Sequence, residues 1–447
     1  MALAEKPAFG LIDTVLALAK KAAPDADVRV GIQSGGRANT RFAVNRITSC
    51  GDVAKTEVRL EVAVGKRHAS TESNQTDSAS LSAAVERTVA MAKLAPEDPE
   101  YLPTLDPQKY LPVPSRFDPR TARLTAAVRA RAIAGAIRAA QKKKVQIAGF
   151  LQHHEGALAL GTSNGVRAYY QSTMAELSTT ARTPDGTGSG WAAGFSHRFG
   201  DVDVDTLAQV AIDKGVASQN PGALAPGKYT VVLEPAAVAD LLTFLLFSLD
   251  ARRADEGRSF FSKPGGGNRL GEQIFGEHVT LVSDPADPLA PAAPFDGDGL
   301  PRARITWIDR GRVGALSRSR FWAHKTGQTP TPQPGSFHLH GGQAKSTDEL
   351  VQGVERGVLI TRFWYLRPVD PRTILATGLT RDGVFLIEKG KVTRPVNNFR
   401  FNESPVVMLK NAEAMTAETF EYRAGGRLRV PAIRTTGFNL ASVSEAV

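Results

Sequence analysis

Apolar residues recur at helical spacing over 9–22, where Phe9, Ile12, Leu16 and Leu18 fall near one side, and the period then changes to two over Val28–Ile32, Thr40–Thr48 and Thr56–Val64. The pattern predicts a helix leading into strands. A second helix is expected over Ser78–Leu94, with Leu81, Val85, Val89 and Met91 at apolar positions and Ser80 or Ser82 as its cap. The proline-rich run Pro96–Pro119 reads as an extended connector, because proline disfavours helix at and before itself. Thr121–Lys144 follows as a long alanine-rich helix, with Lys142–Lys144 in the last turn, where cations complement the helix dipole.

From Val145 the period is again two, and Val145–His154, Ala157–Ser163, Arg167–Gln171 and Met174–Arg182 are predicted strands, with Asn164-Gly165 supplying a tight turn. After a weaker helix over Val204–Ala217, the stretch Ser218–Gly227 is rich in turn formers and marks the expected boundary between an N-terminal α+β domain (1–222) and a second domain (223–447). The second half opens with a strand over Tyr229–Leu233 and an apolar helix from about Pro235. Short strands punctuated by glycine and proline then dominate. Ala303–Ile308, the turn Asp309-Arg310-Gly311 and Val313–Leu316 form a hairpin pattern, and Leu350–Leu359, Ile374–Leu379, Gly383–Glu388 and Val406–Lys410 supply further elements. The expected fold class is α+β, with a β-rich, sandwich- or barrel-like second domain.

Composition narrows the function classes. The 447 residues are 42% hydrophobic and 22% charged, which is ordinary globular usage and excludes wholesale disorder, collagen and coiled-coil rods. Cys50 is the only cysteine, so no intrachain disulfide or cysteine-cluster metal site can form, and a reducing, cytoplasmic location is expected. The first ten residues lack the pattern of a secretory signal, and the most apolar stretch, Ala236–Leu249, is too short to span a bilayer. A net charge of +10 admits polyanionic partners.

His-Glu-x-x-His, His-x-x-Glu-His and Gly-x-Ser-x-Gly are all missing from the sequence. Asp185–Gly190 and Gly265-Gly266-Gly267 are glycine-rich but lack the ending of a phosphate loop, and read as flexible loops. His338 and His340 would share a face of an extended segment and form the best candidate metal pair, against the plainer reading of exposed loop histidines. His153-His154-Glu155 is a poorer candidate, since neighbouring strand residues face opposite ways. The cluster Asp250–Arg258 could line a cleft or simply solvate a helix exit through internal ion pairs. Arg302, Arg304, Arg310, Arg312, Arg318 and Arg320 could form a basic stripe, although only Trp307, Phe321 and Trp322 interleave with it.

Four strings taken together, Leu233–Leu242, Asp255–Phe260, Pro294–Pro301 and Leu386–Val396, resemble the TldD/PmbA family, historically called modulators of DNA gyrase. The first half is similar more loosely, through Gly149-Phe-Leu and Thr162-Ser-Asn-Gly165. The resemblance implies an α+β N-terminal domain and a β-rich C-terminal domain. In the catalytic branch a helix carries His-Glu-x-x-x-His for zinc and a cysteine completes the site. This sequence departs from that pattern: Thr243, Phe244 and Ser248 fall at the His, Glu and His positions of a degenerate helix at about 235–250, and Val392 falls at the cysteine.

The resemblance therefore implies the non-catalytic PmbA/TldE-like branch, with no catalytic residue, metal or cofactor in this chain. Zinc is expected on a TldD-like partner in a heterodimer that handles unfolded peptides, with a homodimer when the chain is alone. Nucleic acid and membrane are not expected partners. Arg253, Asp255, Glu256 and Arg258 are the expected chamber or interface residues. Three other readings stay open: a stand-alone metal-dependent hydrolase using His338 and His340, a polyanion-binding or gyrase-associated regulator, and a homodimeric scaffold.

Overall fold

The computed structural model describes residues 2–423 and 427–445. In the first half, helix α1 (Glu5–Ala22) leads into strands β1 (Asp27–Ala43), β2 (Arg46–Val64) and β3 (Arg67–Ser73) and helix α2 (Ser78–Leu94). A single turn α3 (Pro119–Ala122), helix α4 (Ala126–Lys142), strands β4 (Gln146–Thr162), β5 (Arg167–Arg182) and β6 (Ser189–Ser196), and helix α5 (Val204–Ala217) complete it. The strands form one antiparallel sheet in the order β3-β2-β1-β4-β5-β6.

The alternation along β1 sets the layers. Val28, Val30, Ile32, Ala38 and Phe42 are buried, and α1 with α2, then α4 with α5, cover that face in two adjoining cores. The opposite face stays open toward the second half of the chain.

Several predicted boundaries shift for local reasons. Val28–Ile32 and the start of Thr40–Thr48 belong to one strand, β1, and the rest of Thr40–Thr48 is the turn and the start of β2, because the chain reverses at Val44-Asn45, both with positive φ. Asn45 holds that turn by bonding the Val145 carbonyl and the Ile147 amide. The four segments predicted over 145–182 are two long strands, β4 and β5, joined through Gly165 at φ +97°. Thr121–Lys144 is broken, since Thr125 caps a fresh start at α4. The cap of α2 is Asp77, not Ser80 or Ser82; its carboxylate accepts the Ser80 amide.

The loop expected to be flexible at Asp185–Gly190 ends in a packed crossing. A Cβ at Gly190 would lie 2.2 Å from the Gly215 amide nitrogen, so only glycine lets β6 pass this close to α5.

In the second half, β7 (Gly227–Leu233) precedes helices α6 (Pro235–Ser248) and α7 (Ala251–Asp255). Short strands β8 (Leu281–Ser283), β9 (Ile305–Asp309) and β10 (Arg312–Val313), helix α8 (Arg320–Thr326), β11 (Phe337–Leu339) and α9 (Thr347–Gln352) follow. The long pair β12 (Arg356–Asp370) and β13 (Leu375–Glu388) leads to β14 (Lys391–Pro395), β15 (Asn398–Glu403) and α10 (Pro405–Lys410), then β16 (Ala412–Met415), β17 (Phe420–Arg423), β18 (Arg427–Val430) and β19 (Ile433–Ser444). Val406–Lys410 is thus helical: Pro405 suits a first turn and the Ser404 hydroxyl accepts the Val406 amide.

Strands β12, β7, β19, β15 and β13 pair in sequence, and β13 pairs back to β12, so this sheet closes into a barrel. Phe363, Phe401 and Phe438 pack inside it, with ring centroids 4.3–5.7 Å apart. A second sheet, in the order β10-β9-β8-β11-β18-β17, faces it across α6. The fold is α+β with a barrel-like C-terminal sheet.

The proline-rich run is a strap across the two halves. Glu100 pairs with Arg252, the Pro103 carbonyl accepts from Arg320, the Tyr110 hydroxyl donates to the Gly299 carbonyl, and Arg116 pairs with Glu421. The halves also meet through an apolar patch in which Leu160, Val166 and Ala168 pack on Ala293 and Phe295.

Candidate functional site

Helix α6 starts at Pro235, which supplies a helical φ where no amide donor is needed, and is apolar on nearly every side because it is wedged between barrel and second sheet. Leu241, Leu242 and Leu245 are fully buried. Toward its C-terminal end Thr243, Leu246 and Phe247, with Leu249 and Asp250 just past the helix, line a cleft of about 290 Å³ whose other walls include Trp307, Gln333, Ser336, Phe337 and Arg427.

A zinc site on this helix would need donors at Thr243, Phe244 and Ser248. The Thr243 hydroxyl donates to the Ala239 carbonyl at 2.9 Å, the Ser248 hydroxyl donates to the Phe244 carbonyl at 2.8 Å, and Phe244 packs on the core. Such bonds one turn back are the usual fate of hydroxyls inside a helix. Neither histidine nor cysteine occurs between Val231 and Phe261, so the residues present do not fit zinc. Val392 is not brought to them: it is 45% exposed on β14, which packs on β13 and α9.

The other end of α6 borders a second cleft, about 230 Å³, between Trp191, Phe195 and Glu176 of the N-terminal sheet and Arg362–Leu366 of β12. Arg362 lies 4.5 Å from the Trp191 ring centroid and 5.1 Å from that of Trp364, and Arg381 covers Trp364 at 4.9 Å, a ladder of cations and rings. Asp240 accepts the Phe363 amide here, and burial pushes its carboxyl up to about 7 against the opposing pull of Arg362. Sequence spacing carries no sign of this juxtaposition, because Trp191 and Arg362 come from different sheets.

The charge cluster after α6 serves two purposes. Asp250 caps α7 by accepting the Arg253 amide. Asp255 accepts from Asn268 at 2.6 Å and from the Trp322 indole at 2.8 Å, which makes it an internal tie. Glu256 is flanked by Arg252 and Arg258 and held below the usual carboxylate range by those hydrogen bonds, Arg258 first. Arg253 and Arg258 are exposed. Arg252, passed over among the candidates, is the residue that reaches furthest: it grips both oxygens of Glu100 at 2.8 Å and lies over Phe321 and Trp322.

His338 and His340 do face one another, with ring centroids 5.0 Å apart. His338 Nδ1 is engaged by Asp287 at 2.9 Å, and among the described residues no group of three or more His, Cys, Asp or Glu side chains converges to hold an ion. His153 is buried against Arg129, and burial lowers it to about 4, while Glu155 accepts the Ala2 amide.

The predicted basic stripe dissolves into separate contacts. Arg302 bonds the Gln333 and Ala293 carbonyls, Arg304 pairs with Asp284, Arg312 bonds the Gly271 carbonyl and Arg320 the Pro103 carbonyl. No helix among the described residues is long and apolar enough to cross a membrane.

Comparison with known proteins places these features. Residues 226–442 match the PmbA/TldA metallopeptidase C-terminal domain and 117–219 the PmbA/TldA metallopeptidase central domain. A Methanothermobacter thermautotrophicus protein described as a metalloprotease is 23% identical over 288 residues, 59% of this chain and 61% of that protein. A Methanocaldococcus jannaschii protein of unassigned function is 26% identical over 189 residues, 42% of this chain and 43% of that one. The match therefore spans less than two thirds of the length of these curated relatives.

Among solved structures, TldE from Thermococcus kodakarensis superposes with a TM-score of 0.86 at 17% identity, covering 96% of this chain and 99% of that one. A Thermotoga maritima protein described as a candidate modulator of a DNA gyrase superposes at 0.84 and 17% identity, covering 96% and 99%. At these identities the likeness concerns the fold.

Proposed function

Because the chain belongs to the PmbA/TldD family of metallopeptidase-related proteins, we propose that it is the zinc-less, TldE-like subunit of a peptide-handling pair. A TldD-like subunit supplies the zinc and activates the water; this chain supplies one wall of the enclosing chamber. The observation that carries the reading is α6, where the positions that would hold zinc are Thr243, Phe244 and Ser248 and both hydroxyls are turned back on the helix. The helix keeps its place in the core and still borders an open cleft. Likeness in fold to a TldE supports the same reading.

Substrates in this reading are unfolded peptides, held through backbone and terminal groups rather than through one side chain. Arg253, exposed on α7, and Arg258, exposed just beyond it, are the proposed chamber or interface residues; Asp255 and Glu256 hold the segment in shape.

The test is reconstitution with a TldD-like zinc peptidase that carries His-Glu-x-x-x-His. Peptide turnover by the pair, none by this chain alone, and weakened turnover with Arg253→Ala/Arg258→Ala are expected. Turnover by this chain alone contradicts the reading, and turnover unchanged by the double variant removes the role given to the two arginines.

A further inference from the structure

Where the strap, the N-terminal sheet and the second sheet meet, three guanidinium groups crowd together. Arg116 Nη2 donates to Glu421 Oε1 at 3.0 Å, and Arg427 Nε donates to the same oxygen at 2.8 Å. Arg302 is held beside them by the Ala293 carbonyl, and Arg427 Nη1 by the Pro291 carbonyl. Arg116 and Glu421 are almost wholly buried, with side-chain exposures of 4% and 6%. The carboxylates near the three cations are Glu421, in direct contact, and Asp296, through its field on Arg302. Burial first, and then the like charge of Arg427, pull Arg116 down to about 10, and the cluster sets three cations against one carboxylate in direct contact.

The hydrogen bonds are unbalanced in the same sense. Four buried side-chain polar atoms lack a partner among the described residues, and three belong to this cluster: Arg116 Nη1, Arg427 Nη2 and the Tyr170 hydroxyl. All three can donate, and the fields of Arg116, Arg427 and Arg302 all act on Tyr170. Buried donors around excess positive charge call for an anionic acceptor.

The cluster has a way out. Arg427 lines the 290 Å³ cleft along α6, whose remaining walls include Leu246, Phe247, Trp307 and Phe337 with the polar Thr243, Gln333 and Ser336; Asp250, also in the wall, spends a carboxylate oxygen on the Arg253 amide. A planar guanidinium in the wall of a cleft that also presents Leu246, Phe247 and Phe337 matches a carboxylate attached to an apolar residue.

We propose that the cleft beside α6 is a carboxylate-recognition site, in which Arg427, backed by Arg116, Arg302 and Tyr170, takes the C-terminal carboxylate of a peptide lying along the helix. The proposal rests on the peptide-handling reading above and gives this chain a positive task within it: fixing the end of the peptide. Its subunit would then measure substrate from the carboxyl terminus.

Isothermal titration of the full chain, without any partner, tests it. The probes are a pentapeptide of four alanines and a C-terminal leucine, its C-terminal amide, and sodium acetate. The free acid should bind at least about tenfold more tightly than the amide. Arg427→Gln should abolish that difference. Tyr170→Phe should weaken acid binding while its melting temperature holds or rises, since the variant removes a buried hydroxyl without a partner.

Equal binding of acid and amide, or binding of neither at millimolar peptide, overturns the site. Acetate binding as tightly as the peptide acid overturns the peptide assignment. Because the readout is on the chain alone, loss of acid-over-amide discrimination leaves pairing with a zinc subunit standing. Failure of reconstituted turnover with discrimination intact overturns the pairing instead.

Discussion

The Ser248 hydroxyl donates to the Phe244 carbonyl oxygen one turn back at 2.8 Å, so the hydroxyl at this position of α6 is spent within the helix. Ser248→Ala should therefore change stability by no more than about 0.5 kcal/mol and leave peptide turnover by the reconstituted pair unchanged. Denaturant unfolding and steady-state turnover check it. A loss of turnover at unchanged stability would return Ser248 to the chemistry.

Arg252 and Arg253 are neighbours with opposite expected effects. Arg252 ties α7 to Glu100 on the strap and covers two aromatic rings, whereas Arg253 is exposed and contributes its backbone amide to the Asp250 cap. Arg252→Ala should lower the melting temperature measurably and render the strap near Glu100 more susceptible to proteolysis. Arg253→Ala should do neither, and equal effects from the two would contradict this division.

Asp382 joins the halves from a left-handed backbone position at φ +58°. It accepts the Ser189 hydroxyl at 2.5 Å and lies 3.5 Å from Arg362 Nε, with an exposure of only 3%. Asp382→Ala leaves a buried guanidinium without this partner and should cost about 3–5 kcal/mol in urea unfolding. A cost below about 1 kcal/mol would mean that water or another carboxylate replaces it.

Asp240 gives a pH signature. Its carboxyl is raised from 3.8 to about 7, so between those values the folded chain keeps a proton that the unfolded chain has released. The folded state is then progressively disfavoured as pH rises through the window. Asp240→Asn removes the effect, so its melting temperature relative to the parent should climb from pH 4 to pH 7 and level off above. Parallel curves would show that the carboxyl titrates normally.

The parts of the fold legible in the sequence are those set by local periodicity. The apolar faces of α1, α2 and α5 and the strands of the first sheet follow from spacing alone, because each buries one stripe, and α6 shows its burial between two sheets as a run apolar on nearly every side. Strand lengths were not legible across Gly156 and the polar pair Ser172-Thr173, where the strand passes without interruption but the pattern breaks. Barrel closure between β12 and β13 and back through β7 depends on pairing between distant segments, which periodicity does not encode.

The candidate site divides in the same way. The missing donors on α6 are visible in the letters Thr243, Phe244 and Ser248. What surrounds the helix is not: Arg116, Arg302 and Arg427 converge from the strap, a loop and a strand, and each alone reads as an ordinary surface cation. The charge run Asp250–Arg258 announces a cluster, but only the fold reveals that Asp255 faces Trp322 and that Arg252 reaches Glu100.

The most direct measurement is zinc content per chain, by elemental analysis of untagged protein expressed alone and purified without chelator. The account predicts less than about a tenth of an equivalent, because α6 offers neither histidine nor cysteine and its one carboxylate, Asp240, accepts the Phe363 amide. About one equivalent, retained through gel filtration, would contradict it and make His338 and His340 the first residues to replace.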